Sequence, residues 1–373
     1  MKKIPVFDLD LKYKDKKYLI DSINKNQFTS GKYVGILEKE FSKFVGCKYG
    51  IATTSGTTAL HLACIVAGIK KNDEVLVSSS TNMASAFAII YCGGIPIPID
   101  VDSDSWQIDP KKIEKKITKK TKAIMVVHLF GQTANMKKIM KLAKKYKLKI
   151  IEDCAESHGV ECFKKRVGSF GDVSAFSFYF NKTITSGEGG MVVTNSKKIA
   201  DKAKLFKNLC YGKINRFMHS NIGYNYRMAN LNAALALGQL RNIKSIIKKK
   251  KEIYSQYFKN LSKLHFVKIP KKEKWETNYI MWLFNICVDE KKIKRNYLMK
   301  KLLKDYKIET RTSFIPINFQ NVLIKKFSKI KKNSCKNANY IMRNGLYLPS
   351  GNNLTMKKIN FVCKAIEKIY KDL

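Results

Sequence analysis

The stretch Ser174-Ala-Phe-Ser-Phe-Tyr-Phe-Asn-Lys182-Thr-Ile-Thr-Ser-Gly187-Glu-Gly-Gly190 sets one lysine between an aromatic run and a glycine-rich turn. The run Ala-Phe-Ser-Phe-Tyr-Phe has the β-propensity of a buried strand. Gly187, Gly189 and Gly190 open backbone conformations closed to other residues. Lys182 is thereby held on a constrained connection beside apolar surface. Desolvation disfavours its ammonium form, and a lysine whose pKa falls this way can attack a carbonyl and hold it as a Schiff base. A surface lysine in a hairpin would show the same local pattern, so the reading depends on what the rest of the chain supplies. The aldehyde that such lysines most often hold is pyridoxal 5′-phosphate (PLP), which needs a phosphate cradle, a carboxylate for its pyridine nitrogen and contacts on its ring.

Upstream, Tyr49-Gly-Ile-Ala-Thr-Thr-Ser55-Gly56-Thr57-Thr58-Ala-Leu-His-Leu-Ala passes from a short strand through small residues into a helix. A helix start of that kind aims backbone N–H groups at an anion, and phosphate is the natural occupant. The same residues also make an ordinary cap. His61 reads as a packing residue. Strands and helices then alternate: strands at 74–78, 96–101, 123–130 and 149–153, helices at 81–92, 111–119 and 136–145. Such alternation implies a mainly parallel sheet covered by helices, with ligands at the carboxyl ends of the strands. Asp153 stands at such an end, in Ile150-Ile-Glu-Asp153-Cys-Ala-Glu156-Ser-His158-Gly159, where a carboxylate can face a protonated pyridine nitrogen. Glu156 can hydrogen-bond the O3′ of the same ring. The plainer reading makes Asp153 a helix cap and leaves Glu156 and His158 in solvent. Further on, Asn221-Ile-Gly-Tyr-Asn225-Tyr-Arg-Met is a polar aromatic loop, and a lysine-rich helix over 241–262 leads into an α+β segment with strands near 278–288 and 308–312.

A chain of 373 residues predicts one large and one smaller domain, divided as 1–250 and 251–373. No apolar run is long enough to span a bilayer, and the amino terminus turns polar too soon for a signal peptide. The nine cysteines show no CxxC pair and no metal-ligand spacing with the five histidines. They read as reduced, buried thiols of a cytoplasmic protein that binds no metal. The net charge of +43 admits nucleic acid, an anionic membrane surface or small anions as partners. Lysine supplies nearly all of it, as in Lys248 to Lys251, whereas dedicated phosphate and base recognition favours arginine. That distribution predicts solvated helix faces, with no specific nucleic-acid partner and no membrane attachment.

Taken together, these stretches resemble the DegT/StrS family of nucleotide-sugar aminotransferases over almost the whole chain. The likeness is carried by Ser55-Gly56-Thr57 before a helix, Glu152-Asp153-Cys-Ala-Glu156, Ser177 ahead of Lys182, the Gly187-Glu-Gly-Gly turn and Asn225-Tyr-Arg-Met. It implies the aspartate-aminotransferase-like fold (PLP fold type I): a large, mainly parallel α/β/α domain with a small C-terminal α+β domain. It implies further that Lys182 bonds the cofactor aldehyde and shuttles protons, that Asp153 pairs with the pyridine nitrogen and that Glu156 approaches O3′. Gly56, Thr57 and Ser177 would hold the phosphate, with Asn225 reaching it from the other subunit of a homodimer.

The lysine stretch looks most like that of perosamine synthases, which aminate C4 of GDP-4-keto-6-deoxymannose using L-glutamate; similar enzymes act on UDP- or dTDP-linked sugars. The retained Lys182 is unlike the dehydratase branch, where histidine replaces it. A 3-keto sugar aminotransferase and a non-catalytic basic relative that binds polyanions remain open alternatives. Two positions depart from the family pattern. Asn82 stands where relatives commonly place an aromatic that stacks on PLP, and Asn318 lies near a position where relatives often have histidine, in a region close to the sugar nucleotide.

Overall fold

Apolar strands joined by helices collect into one central sheet, as the alternation predicts. In the computed structural model, which describes residues 2–212, 214, 215 and 217–373, this sheet has seven strands. Their order is Tyr49–Thr53, Gly190–Thr194, Val173–Ser177, Lys149–Asp153, Thr121–Val127, Glu74–Ser78, Ile95–Ile99. Neighbours run parallel except at Gly190–Thr194, which is antiparallel to both strands beside it. The exception has a simple cause. Val173–Ser177 returns to Gly190–Thr194 through a loop with no crossover helix, which permits only an antiparallel neighbour.

The sheet is buried on both faces. Val75, Val77 and Met125 pack into one apolar cluster, while Leu76, Ile124 and Val126 pack into the other, because successive side chains point to opposite faces of a strand. The aromatic run stops being strand at Ser177, short of the expected Phe180. Phe178 N–H donates to Gly189 C=O, and Ser186 N–H and the Thr185 hydroxyl donate to Phe178 C=O. Residues 178–189 thus close on themselves as a loop, with Lys182 N–H bonded to Tyr179 C=O at 2.9 Å.

Towards the carboxyl end a second, antiparallel sheet runs Val267–Lys268, Phe284–Val288, Gly345–Leu348, Arg311–Thr312. Helices Arg295–Tyr306 and Met356–Lys371 cover it through Leu298, Leu302, Ile359 and Ile366. The strand expected near 278–288 is two strands: Glu276–Asn278 pairs with Glu161–Cys162, and Phe284–Val288 joins the second sheet. Gly345–Leu348 is a strand that the sequence did not announce; it is short and bounded by Asn344 and Pro349. The amino-terminal residues pack with this part of the chain. Glu309 N–H donates to Ile4 C=O and Ser350 N–H to Val6 C=O. Position 250 falls inside one continuous helix, Ile243–Leu261.

Candidate active site

Helix Gly56–Ala67 begins at the end of strand Tyr49–Thr53. Ser55 caps it, its hydroxyl accepting from Thr58 N–H at 3.2 Å. The first N–H groups of a helix have no partner within it, so those of Gly56 and Thr57 are available at the cleft both residues line. Ser177, at the end of its strand, closes the other side. A Cβ at Gly56 would lie 2.6 Å from Ser177 Cβ and 2.8 Å from its Oγ. The position therefore admits only glycine. Gly190 is under the same constraint, since a Cβ there would meet Ser55 C=O at 2.2 Å.

The cleft, of about 610 Å³, also takes the end of Lys149–Asp153. Strand alternation sends Glu152 and Asp153 to opposite faces. Glu152 turns away and is satisfied by the N–H groups of Gly168, Phe170 and Gly171, the Ser174 hydroxyl and His128. With Cys154 these groups lie close enough to suggest a metal site, but His128 uses its other nitrogen to accept from Ala134 N–H, so the cluster is an internally bonded part of the core. Asp153 faces the cleft, accepting from the Ser85 hydroxyl at 2.7 Å and from Ala155 N–H at 3.1 Å. Burial raises its pKa, and these two donors together with Lys182 oppose that rise. No helix follows Asp153, so it is not a helix cap.

Lys182 is buried, its side chain 11% exposed and its Nζ 3.8 Å from Glu156 Oε1. Burial lowers the lysine pKa, against the pull of Glu156 and Asp153. Glu156, also buried, accepts Phe130 N–H at 2.7 Å. Its pKa is pushed up to about 7 by burial, against Lys182 and Phe130 N–H, with Asp153 adding to the rise. His158, expected in solvent on the plainer reading, is buried among Phe41, Phe176 and Phe178, and burial pulls its pKa down to about 3. His61 packs among Tyr91, Tyr224 and Tyr226, bonded to Tyr226 at 2.9 Å.

Gly56, Thr57, Asp153, Glu156, Ser177 and Lys182 thus line one cleft, whereas Asn225 is exposed and absent from its lining. Asn82 lines the cleft and caps helix Met83–Tyr91 through Ala84 N–H, so no aromatic stacks from that position. Asn318 does not reach the cleft. It is fully buried, bonded to Ser79, Asn339 and Lys332 C=O.

Three cleft features escaped the sequence. Ser85 looked like one more small helical residue. Trp282 lay in an apolar run read only as strand; its ring centroid is 3.8 Å from Lys182 Nζ and its indole N–H donates to Asn181 C=O at 2.6 Å. Tyr347 sat beside a turn. Only the three Trp residues of the composition offered a hint.

The profile of the DegT/DnrJ/EryC1/StrS aminotransferase family matches residues 10–367. The chain belongs to that family. It is a transaminase, and PLP is its cofactor. It is 39% identical to the GDP-perosamine synthase of Escherichia coli O157:H7 over all of both chains. To that of Vibrio cholerae it is 38% identical, over 98% of this chain and 99% of the relative. Its fold superposes on S. venezuelae DesV with a TM-score of 0.92 at 27% identity, and on the Helicobacter pylori aminotransferase PseC at 0.90 and 26%, each over both whole chains. The residues of the transaminase cleft fit the cofactor: a helix start tight enough to exclude a Cβ suits the phosphate, a buried carboxylate suits a pyridinium, and a buried lysine between them suits the aldehyde. Among the described residues, no helix is long and apolar enough to cross a membrane.

Proposed function

We propose that this transaminase moves the amino group of L-glutamate to C4 of a nucleotide-linked 4-keto-6-deoxy sugar, with GDP-4-keto-6-deoxymannose as the preferred acceptor. The observation that carries the reading is full-length identity of 39% with one GDP-perosamine synthase and 38% with another. PLP, when bound, supplies an electron sink that lets the carbon next to nitrogen lose a proton. The residues around it do the rest. Gly56, Thr57 and Ser177 would hold the phosphate. Asp153, whose pKa burial raises while the Ser85 hydroxyl and Ala155 N–H oppose that rise, would face the pyridine nitrogen and hold its proton. Lys182 would bond the aldehyde, and its Nζ would carry the proton to and from the reacting carbon. Glu156, 3.8 Å from that nitrogen and with its pKa pushed up to about 7, would face O3′ and could exchange the proton that Nζ carries. Trp282, Phe314 and Tyr347 line the cleft from the C-terminal part of the chain and keep bulk water from it.

We place the enzyme in the cytoplasm, where the nine cysteines, all free, stay reduced. We propose further that it works as a homodimer in which Asn225 completes the phosphate site of the neighbouring subunit. Exposed Asn225 and the exposed apolar side chains of Ile214, Phe217, Met218 and Ile222 support this, since a patch of that kind favours a partner surface. Two experiments test these readings. Mass spectrometry of products from GDP-, UDP- and dTDP-linked 4-keto-6-deoxy sugars with glutamate should give an amine at C4, fastest with GDP; amination at C3, or of none of them, refutes the assignment. Mixing inactive Lys182→Ala and Asn225→Ala proteins should restore activity if sites are shared, and should restore none if each chain works alone.

A further inference from the structure

Tyr347 lies on strand Gly345–Leu348, opposite Asn285 and Arg311 in register. Its ring packs against those of Phe130 at 5.7 Å, Phe314 at 5.9 Å and Trp282 at 6.4 Å. The residue is 6% exposed and lines the same cleft as Lys182. Its hydroxyl has no hydrogen-bond partner among the described residues. Buried polar groups are normally paired, so an unpaired phenol lining a ligand cleft marks a partner that the ligand brings. Burial and the nearby Glu156 keep the phenol protonated, which makes it a donor.

We propose that the Tyr347 hydroxyl donates to an oxygen of the hexose, and that Phe314 and Trp282 form the apolar wall against which the sugar ring lies. The inference rests on the sugar-nucleotide reading above. A neutral donor set among aromatic rings suits an uncharged hydroxyl or keto oxygen on a ring with apolar C–H faces.

The test is Tyr347→Phe, which removes one oxygen and no packing. Each half-reaction is followed separately by the absorbance of the bound cofactor. The second-order rate constant with the 4-keto sugar nucleotide should fall about tenfold, the upper range for one neutral hydrogen bond, while that with L-glutamate changes less than twofold. In calorimetry with the apoprotein, GDP-mannose should lose affinity and GDP alone should not; unchanged GDP binding also shows that the variant is folded. Equal losses in both half-reactions place the hydroxyl on the cofactor or the amino donor and overturn the proposal, as does no loss in either. Failure of the sugar-nucleotide reading looks different: the wild-type protein itself then runs the glutamate half-reaction and converts no keto sugar.

Discussion

Lys250→Met separates the charge of a buried side chain from its bulk. Lys250 lies on helix Ile243–Leu261 and is 2% exposed. Its Nζ donates to Trp282 C=O at 3.0 Å and Ser350 C=O at 2.8 Å, tying the long helix to the segment that lays Trp282 over Lys182. Burial alone pulls its pKa from 10.5 to about 7, with no carboxylate to offset it. In the unfolded chain the lysine keeps its proton up to about 10.4. Between these values the unfolded state binds more protons than the folded one, so stability rises with pH across that window, falls as pH drops towards 7 and levels off below it. At neutral pH the penalty amounts to about 4 kcal/mol, from about 1.4 kcal/mol per pKa unit. The methionine variant escapes it but leaves two buried carbonyls without donors, at about 1–3 kcal/mol each. The two effects nearly cancel at pH 7. From pH 7 to pH 9 the wild type gains about 2 kcal/mol that the variant cannot gain. Urea unfolding of both apoproteins at pH 7, 8 and 9 measures the difference directly. A difference that stays constant across that range refutes the reasoning.

Gly56→Ala drives a Cβ to within 2.6 Å of Ser177 Cβ; PLP affinity, titrated into the apoprotein by fluorescence, should fall at least about tenfold, and unchanged affinity would remove the phosphate from this cradle. Asp153→Asn should lower kcat by about a hundredfold or more, because a neutral amide does not hold the pyridine proton, while Ser85→Ala, which only loosens Asp153, should cost less than about tenfold; a reversed order would show that the carboxylate acts elsewhere. Lys182→Arg should lose both turnover and the borohydride-reducible absorbance of the bound cofactor, and a variant that keeps either one assigns the bond to another residue. With a Glu156 pKa of about 7, wild-type kcat should drop as pH falls through neutrality while Glu156→Gln lacks that limb; an identical limb in both would take Glu156 out of proton transfer.

The parts of the site that were legible in the sequence are those that short-range physics writes. A strand running into small residues and a helix, as at Ser55-Gly56-Thr57, brings unpaired helix N–H groups to the cleft from neighbours in the chain. A carboxylate at the end of a buried strand, as at Asp153, is placed by the parallel alternation alone. Lys182 was findable because the apolar run before it and the glycines after it are adjacent in sequence. Ile4 and Val6 bond to Glu309 and Ser350 from the far end of the chain, a pairing that no local pattern announces.

Asn318 shows the opposite case: it lies near a position where relatives often have histidine, in a region close to the sugar nucleotide, but packing turned it inward to join Ser79, Asn339 and Lys332. Ser85, Trp282, Tyr347 and Lys250 carried no local signal either. Their neighbours are about a hundred or more residues away in several cases, as with Trp282 to Asn181 and Lys250 to Ser350. The sequence by itself determined the sheet, the tight helix start at Gly56, the carboxylate and the lysine, because each depends on a few consecutive residues. Only the tertiary structure decided what covers them, because the C-terminal sheet is held over the cleft by burial and long-range hydrogen bonds, and contacts of that kind leave no periodicity for a sequence to display.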